Sequence, residues 1–241
     1  MSKEKVLLAL SGGLDTTFCA IYLNKDKGME VHSAIVNTGG FSEDELEGIA
    51  QHAKHLGIQS HEVLDITEAY YQKCLRFMIF GNVLRNRSYP LSVSSERTFQ
   101  ALALVEYARE KGFTKIAHGS TAAGNDQVRF DLVIQVLAPE IEIITPIREL
   151  QISREDEIAY LKKNGVDMSW EKVEYSINQG IWGTSVGGKE TLTSHTELPE
   201  KAYPVQLNKE GSETLTIRFE KGEAVSLNGQ TGDPVDIIVQ L

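Results

Sequence analysis

Basic residues are in short supply. The 241 residues carry 24 Lys and Arg against 34 Asp and Glu, a net charge of −10. A broad nucleic-acid or anionic-membrane surface calls for a positive excess, so both classes are set aside, although a small basic pocket for an anion is still allowed. No apolar run approaches the roughly 20 residues that span a bilayer. Nor does a leader-like apolar stretch open the chain, since Lys5 leads straight into the first strand. A cytoplasmic protein is expected. Cysteine is scarce: Cys19 and Cys74 fit neither C-x-x-C nor a zinc spacing. Each sits among apolar helix-like residues and reads as a buried free thiol.

What is present is most informative between Lys5 and Thr17. Val6 to Leu10 is an apolar run too short for a typical helix, as expected of a strand buried on both faces of a parallel sheet. Ser11-Gly12-Gly13 follows, then a helix from about Asp15. Adjacent glycines let backbone N–H groups converge on an anion, and the helix directs its positive end at the same spot. No Gly-Lys-Ser/Thr follows, so the loop is not Walker A, and G-x-G-x-x-G is absent. An acid in a phosphate nest is explained by a metal between it and the phosphates, so Asp15 is the candidate Mg²⁺ ligand. The plain alternative is a strand-to-helix turn with an N-terminal Asp.

Strand and helix patterns alternate through the first two thirds of the chain. Helices are expected over 16–27 and 43–56, the second opened by a capping box at Ser42 to Glu45. Others are expected from 65 or 67 to 80, over 95–111, ending near Ala138, and from Ser153 to Gly165. Strands are expected over 30–36, 59–64, 115–118 and 142–145, with a loop from Gly81 to Ser94. This βα alternation predicts an α/β fold, a doubly wound parallel five-stranded sheet with ligands beyond its carboxyl edge. The informative loops lie there: 11–15, 37–41 and 119–126. The pattern changes near Met168. Residues 170–199 show no period, strands are expected over 202–207, 213–220 and 223–227, and Asp233-Pro234 opens a short helix. The expected division is a nucleotide-binding domain over 1–168 and part of a smaller α+β domain with antiparallel strands over 169–241.

A second chemical loop runs from His118 to Asp131, His-Gly-Ser-Thr-Ala-Ala-Gly-Asn-Asp-Gln-Val-Arg-Phe-Asp. Its hydroxyl, amide, carboxylate and guanidinium groups suit a zwitterionic amino acid, with Asp126 on the ammonium and Arg129 on the carboxylate. Alternatively Asn125 or Asp126 caps a helix and Arg129 faces solvent.

Ser-Gly-Gly-Leu-Asp-Thr resembles the loop with which ATP pyrophosphatases hold the departing pyrophosphate. Together with His-Gly-x-Thr-x-x-Gly-Asn-Asp-Gln-Val-Arg-Phe, and with Tyr-Ser-Ile-Asn-Gln-Gly-Ile-Trp-Gly from Tyr175, it resembles argininosuccinate synthase, in a bacterial branch, over essentially the whole chain. That resemblance implies ATP-driven condensation of citrulline with aspartate, giving argininosuccinate, AMP and pyrophosphate through a citrullyl adenylate, with Mg²⁺. It places Ala9, Ser11, Gly12, Gly13, Leu14, Asp15, Thr16, Thr17, Val36, His118 and Gly119 around ATP. It places Thr121, Asn125, Asp126 and position 93 at aspartate, and Tyr89, Ser94, Asn125, Arg129, Ser176 and Ser185 at citrulline. Asp15 and Asp126 are the acids on which catalysis would depend. Arg85, Arg87 and Arg97 flank Tyr89 and read as a solvated face. Val93 departs from the family, which offers a hydroxyl there.

Family members are longer, so the resemblance also implies a truncated or unusually short member. Part of the citrulline cradle would be missing, as would the C-terminal helix of the family's homo-tetramer. Two rivals come from other classes. A tRNA-modifying ATP pyrophosphatase would want a basic face and reactive cysteines. A non-catalytic ATP or amino-acid binding module would bind without turnover.

Overall fold

The computed structural model describes residues 3–122, 124–166 and 175–241. Five strands, β1 (Lys5–Ala9), β2 (Glu30–Asn37), β3 (Ser60–Asp65), β4 (Lys115–Ala117) and β5 (Glu142–Ile144), form an all-parallel sheet in the order β3-β2-β1-β4-β5. β1 lies at the centre, and Val6, Leu7 and Leu8 are fully buried on alternating faces. Helices cover both sides: α1 (Leu14–Lys25), α2 (Glu43–His55), α5 (Ser92–Lys111), α6 (Asp126–Leu137), α7 (Pro146–Leu150) and α8 (Arg154–Lys163). One core layer joins Val6 and Leu8 to Phe18, Leu23, Ala53 and Leu161. The other joins Leu7 and Val36 to Leu104, Ile116 and Ile134. The expected five-stranded doubly wound sheet is therefore present. Strand order reverses between β1 and β4, where such sheets bind ligands.

The remaining elements are α3 (Thr67–Tyr70), a π turn (Tyr71–Leu75), α4 (Arg76–Phe80), an antiparallel hairpin of β6 (Ser176–Gly180) and β7 (Gly183–Gly187), a sheet of β8 (Ile217–Glu220), β9 (Glu223–Leu227) and β10 (Gln230–Thr231), and α9 (Pro234–Gln240). The chain divides into two compact units: residues 1–37, 41–66 and 96–170, and residues 38–40, 67–95 and 171–241. The expected boundary at 168/169 lies outside the described residues.

Local signals held where the chemistry is local. Ser42 and Glu45 exchange both capping-box bonds, and Asp233 caps α9 with Pro234 in its first turn. Four expectations are corrected. No strand forms over 202–207: a 3₁₀ turn at Glu200–Ala202 precedes exposed chain, and Pro204 has no N–H for a ladder. The strand expected over 213–220 shrinks to β8. The 176–187 hairpin forms in a stretch that shows no period. Cys74 is only half-buried, whereas Cys19 is buried.

Candidate functional site

β1 ends at half-buried Ala9, and Gly12 takes φ +77°, a left-handed turn that admits few other residues. Gly13 begins α1 in extended conformation without a side-chain cap, so the first-turn N–H groups of α1 have no capping side chain. Around them Ser11 Oγ lies 3.3 Å from Thr16 Oγ1, and Thr16 donates to the Gly13 carbonyl at 3.2 Å. Leu14 and Thr17 are buried, Thr17 against His52 Nε2 at 2.9 Å. This is an N–H nest at the positive end of a 12-residue helix, rimmed by hydroxyls. Beside it opens a pocket of about 360 Å³, lined by Ser11 and Gly12 on one side and by Phe41, Glu45, Ile49 and His52 on the other.

Across the strand-order reversal, the loop after β4 closes on the nest. A Cβ on Gly119 would stand 3.1 Å from Asp15 Cβ and 3.2 Å from Thr16 Cγ2. A side chain there would make Asp15 or Thr16 give by a few tenths of an ångström, so Gly119, Asp15 and Thr16 are close neighbours. His118 is buried beneath the loop. Its Nδ1 accepts from the Ser120 N–H at 3.3 Å, which puts the ring proton on Nε2, 2.9 Å from Asp131 Oδ1. Arg148 Nη1 reaches Asp131 Oδ2 at 2.8 Å and Gln127 Oε1 at 2.9 Å. Gln127 in turn donates to the Ala122 and Gly124 carbonyls. The loop is thus tied at both ends. The His118 bond, and then Arg148, hold the Asp131 carboxyl below its ordinary range. Asp131→Ala should raise the proteolytic sensitivity of residues 119–126 several-fold and leave the sheet's circular dichroism unchanged.

Asn125 precedes α6 without capping it, and Thr121 and Asn125 are exposed. Asp126 accepts from Arg129 Nη1 at 2.7 Å and from Arg97 Nε at 3.3 Å. Arg97 also bonds Gln100 at 2.6 Å and Glu96 at 3.3 Å. The reading of Arg97 as part of a solvated face is corrected: it is a half-buried support of Asp126, and α5 brings it there. Val36 is buried, and its carbonyl accepts from Gln100 at 3.4 Å.

Asp15 has a partner absent from the sequence reading. Glu157, on the face of α8 shared with Leu161, is 3% exposed and its carboxyl lies close to that of Asp15. Its Oε2 has no hydrogen-bond partner. Burial, and then the Asp15 charge, push the Glu157 carboxyl up to about 8. Burial also raises Asp15, opposed by Arg154, and burial, then both acids, raise the Cys19 thiol. The signal available in the sequence was the 157/161 spacing of an inward helix face.

With Glu157 raised from its ordinary 4.5, the folded chain holds a proton that the unfolded chain releases. That stabilisation is complete below about pH 4.5 and is lost as pH rises through about 8. In chelator-containing buffer, the difference in unfolding free energy between wild type and Glu157→Gln should change across this window by at most roughly 1.4 kcal/mol per pH unit. A pH-independent difference would contradict the raised carboxyl.

In the second unit, Tyr89 OH accepts from the Ser94 N–H at 3.4 Å, and Ser94 Oγ donates to the Leu91 carbonyl. Val93 and Ser94 lie on the first turn of α5, not in the loop expected up to Ser94. Asn82, Asn86, Arg87 and Leu91 all take positive φ, so this loop is held in sparsely favoured backbone. Trp182, at the tip of the β6–β7 hairpin, donates to the Pro90 carbonyl at 2.9 Å. Hairpin register pairs Ser176 with Gly187 and Asn178 with Ser185, so Ser176, Ser185 and Asn178 share one face. The motif from Tyr175 contains Asn178 and Trp182 as well, but only the two serines carried a role in the sequence.

The model of the arginosuccinate synthase N-terminal HUP domain family matches residues 5–167. The chain belongs to that family. Among its argininosuccinate synthase relatives, the Dictyoglomus thermophilum protein is 38% identical over 244 residues, covering 100% of this chain and 61% of its own. That of Methanocaldococcus jannaschii is 37% identical, with 96% and 59% covered, and that of Sulfurisphaera tokodaii is 37% identical, with 97% and 60%. The chain therefore spans about 60% of the length of the curated relatives it matches. The segment matched to the arginosuccinate synthase HUP domain contains the nest, the His118–Asp131 loop and Glu157, while Ser176 and Ser185 lie beyond it.

Proposed function

We propose that this chain carries the ATP-dependent ligase chemistry of argininosuccinate synthase, joining citrulline to aspartate with release of AMP and pyrophosphate. The supporting observation is the pairing of an N–H nest with a second loop whose Gly119 sits against Asp15 and Thr16. Residues 11–17 take the phosphates of ATP, with Ala9, Val36, His118 and Gly119 completing the nucleotide's surroundings. Thr121, Asn125 and Asp126 take aspartate, and Val93 stands where no hydroxyl can help. Asn125 and Arg129, and in the second unit Tyr89, Ser94, Ser176 and Ser185, are assigned to citrulline. Asp126 already holds two guanidinium groups, so an incoming ammonium competes with Arg129 and Arg97 for the same oxygens. Arg129 freed in that exchange turns to a carboxylate. A homo-oligomer in the cytoplasm belongs to the same reading.

Attack of the citrulline ureido oxygen on the α-phosphate expels pyrophosphate into the nest. The resulting adenylate makes the ureido carbon electrophilic. The aspartate amine attacks that carbon, loses a proton, and the C–O bond breaks, so AMP departs carrying the former ureido oxygen. No enzyme nucleophile is required. Positioning and fixed dipoles supply the acceleration. Asp15 is a hard carboxylate donor beside a phosphate nest, and one carboxylate with phosphate oxygens is what Mg²⁺ usually takes. The residues fit, and Asp15 would hold the ion. When bound, Mg²⁺ would neutralise charge on the departing pyrophosphate.

The test is release of AMP and pyrophosphate from ATP with and without citrulline, with ATP and citrulline binding followed by calorimetry. Citrulline-dependent AMP supports the ligase. AMP that depends on tRNA supports the base-modifying rival, against which the net charge of −10 speaks. Binding of both ligands without AMP supports a binding module.

A further inference from the structure

We propose that Glu157 is a second carboxylate ligand to the divalent cation of the nest, so that the cation is held between α1 and α8 and not by Asp15 alone. This rests on the reading of Asp15 as a cation ligand. Glu157 is 3% exposed, and a buried carboxylate oxygen with no partner is costly to keep. Its Oε2 is such an atom. α8 packs on α1 through Leu161 against Phe18 and Cys19, which brings the Glu157 carboxyl close to Asp15, the residue beside which the phosphates would lie. Two carboxylates stand here against one nearby guanidinium, Arg154, so the ionised cluster is short of positive charge. Cys19 lies on the same face of α1, four residues after Asp15, and its raised thiol adds none.

Among the described residues no three His, Cys, Asp or Glu side chains form a metal-holding group. Two carboxylates alone make a poor cage. Mg²⁺ is commonly bound through one or two carboxylates with phosphate oxygens and water completing six ligands. The pair therefore suits an ion that arrives with the triphosphate, and it couples ATP affinity to the cation. Apart from its spacing from Leu161, the sequence hides this partner, because Glu157 sits in a run, Arg-Glu-Asp-Glu, that reads as a solvated helix start.

The chain is titrated with ATP by calorimetry at one fixed pH, in chelator and in excess Mn²⁺. Wild type should gain at least tenfold in ATP affinity from Mn²⁺. Glu157→Gln and Glu157→Met, which keep the side chain's bulk and remove its charge, should lose most of that gain. Their thermal midpoints in chelator should equal or exceed wild type, because an unpartnered buried carboxylate is gone. Electron paramagnetic resonance of the Mn²⁺–ATP complex should change in both variants. If both keep the wild-type gain and spectrum, Glu157 is no ligand, while loss in Asp15→Asn leaves the reading of Asp15 standing. If Asp15→Asn also keeps the gain, both ideas fall.

Discussion

Replacing Asp15 by alanine is expected to lower citrulline-dependent AMP formation by about a thousandfold or more, the scale on which loss of a key charge-stabilising group acts. ATP binding should fall far less, because the Gly12–Thr16 backbone and the Ser11 and Thr16 hydroxyls stay in place. Removing the carboxylate also relieves Glu157, whose proximity to Asp15 raises its carboxyl. The variant should therefore be no less stable than wild type, so the loss will not be one of folding. Near-normal AMP release by Asp15→Ala would remove the cation from the nest and with it the main argument for pyrophosphate as leaving group.

The second large effect lies in the second unit. A Cβ on Gly40 would sit 1.9 Å from the Gln179 carbonyl oxygen and 2.9 Å from the Gly180 nitrogen, all backbone atoms. Neighbouring Gly39 has φ +83°, and Ile181 donates to the Thr38 carbonyl at 3.0 Å. The β6–β7 hairpin thus crosses directly over residues 38–40, and no side-chain adjustment makes room. Gly40→Ala should destabilise the protein by roughly 3 kcal/mol, at the upper end of overpacking costs, and free the hairpin for cleavage near Trp182. Urea unfolding with limited proteolysis measures both, and a cost below about 1 kcal/mol would show that the crossing is loose.

These two glycines illustrate what the sequence conveyed. Asn37-Thr38-Gly39-Gly40 was legible as a loop at a strand's carboxyl end, since glycine pairs punctuate locally. Why both must be glycine was not, because the reason lies about 140 positions away, in Gln179 and Ile181. The hairpin itself escaped notice for the same reason: Ser176–Gly187 is polar and glycine-rich, and tertiary contacts hold it in place of an alternating apolar face. Conversely, the parallel sheet, the Ser42 cap and the nest were readable because buried apolar runs, side-chain caps and strand–turn–helix order are encoded within a few residues of each other. Gly119 was named from the sequence, but its closeness to Asp15 and Thr16 came only with the fold. Asp126 was named, but its two guanidinium partners were seen only once α5 was folded against α6. Glu157 required the same step, since the packing of α8 on α1 decides which of its charged residues turns inward.

The central claim is that the ureido oxygen of citrulline is adenylated by ATP on this chain. Citrulline labelled with ¹⁸O in the ureido group tests it in one measurement: the AMP formed with ATP and aspartate is analysed by mass spectrometry. The account predicts one ¹⁸O atom in the AMP phosphate and none in pyrophosphate. Unlabelled AMP, or no AMP while ATP and citrulline are both bound, would contradict it.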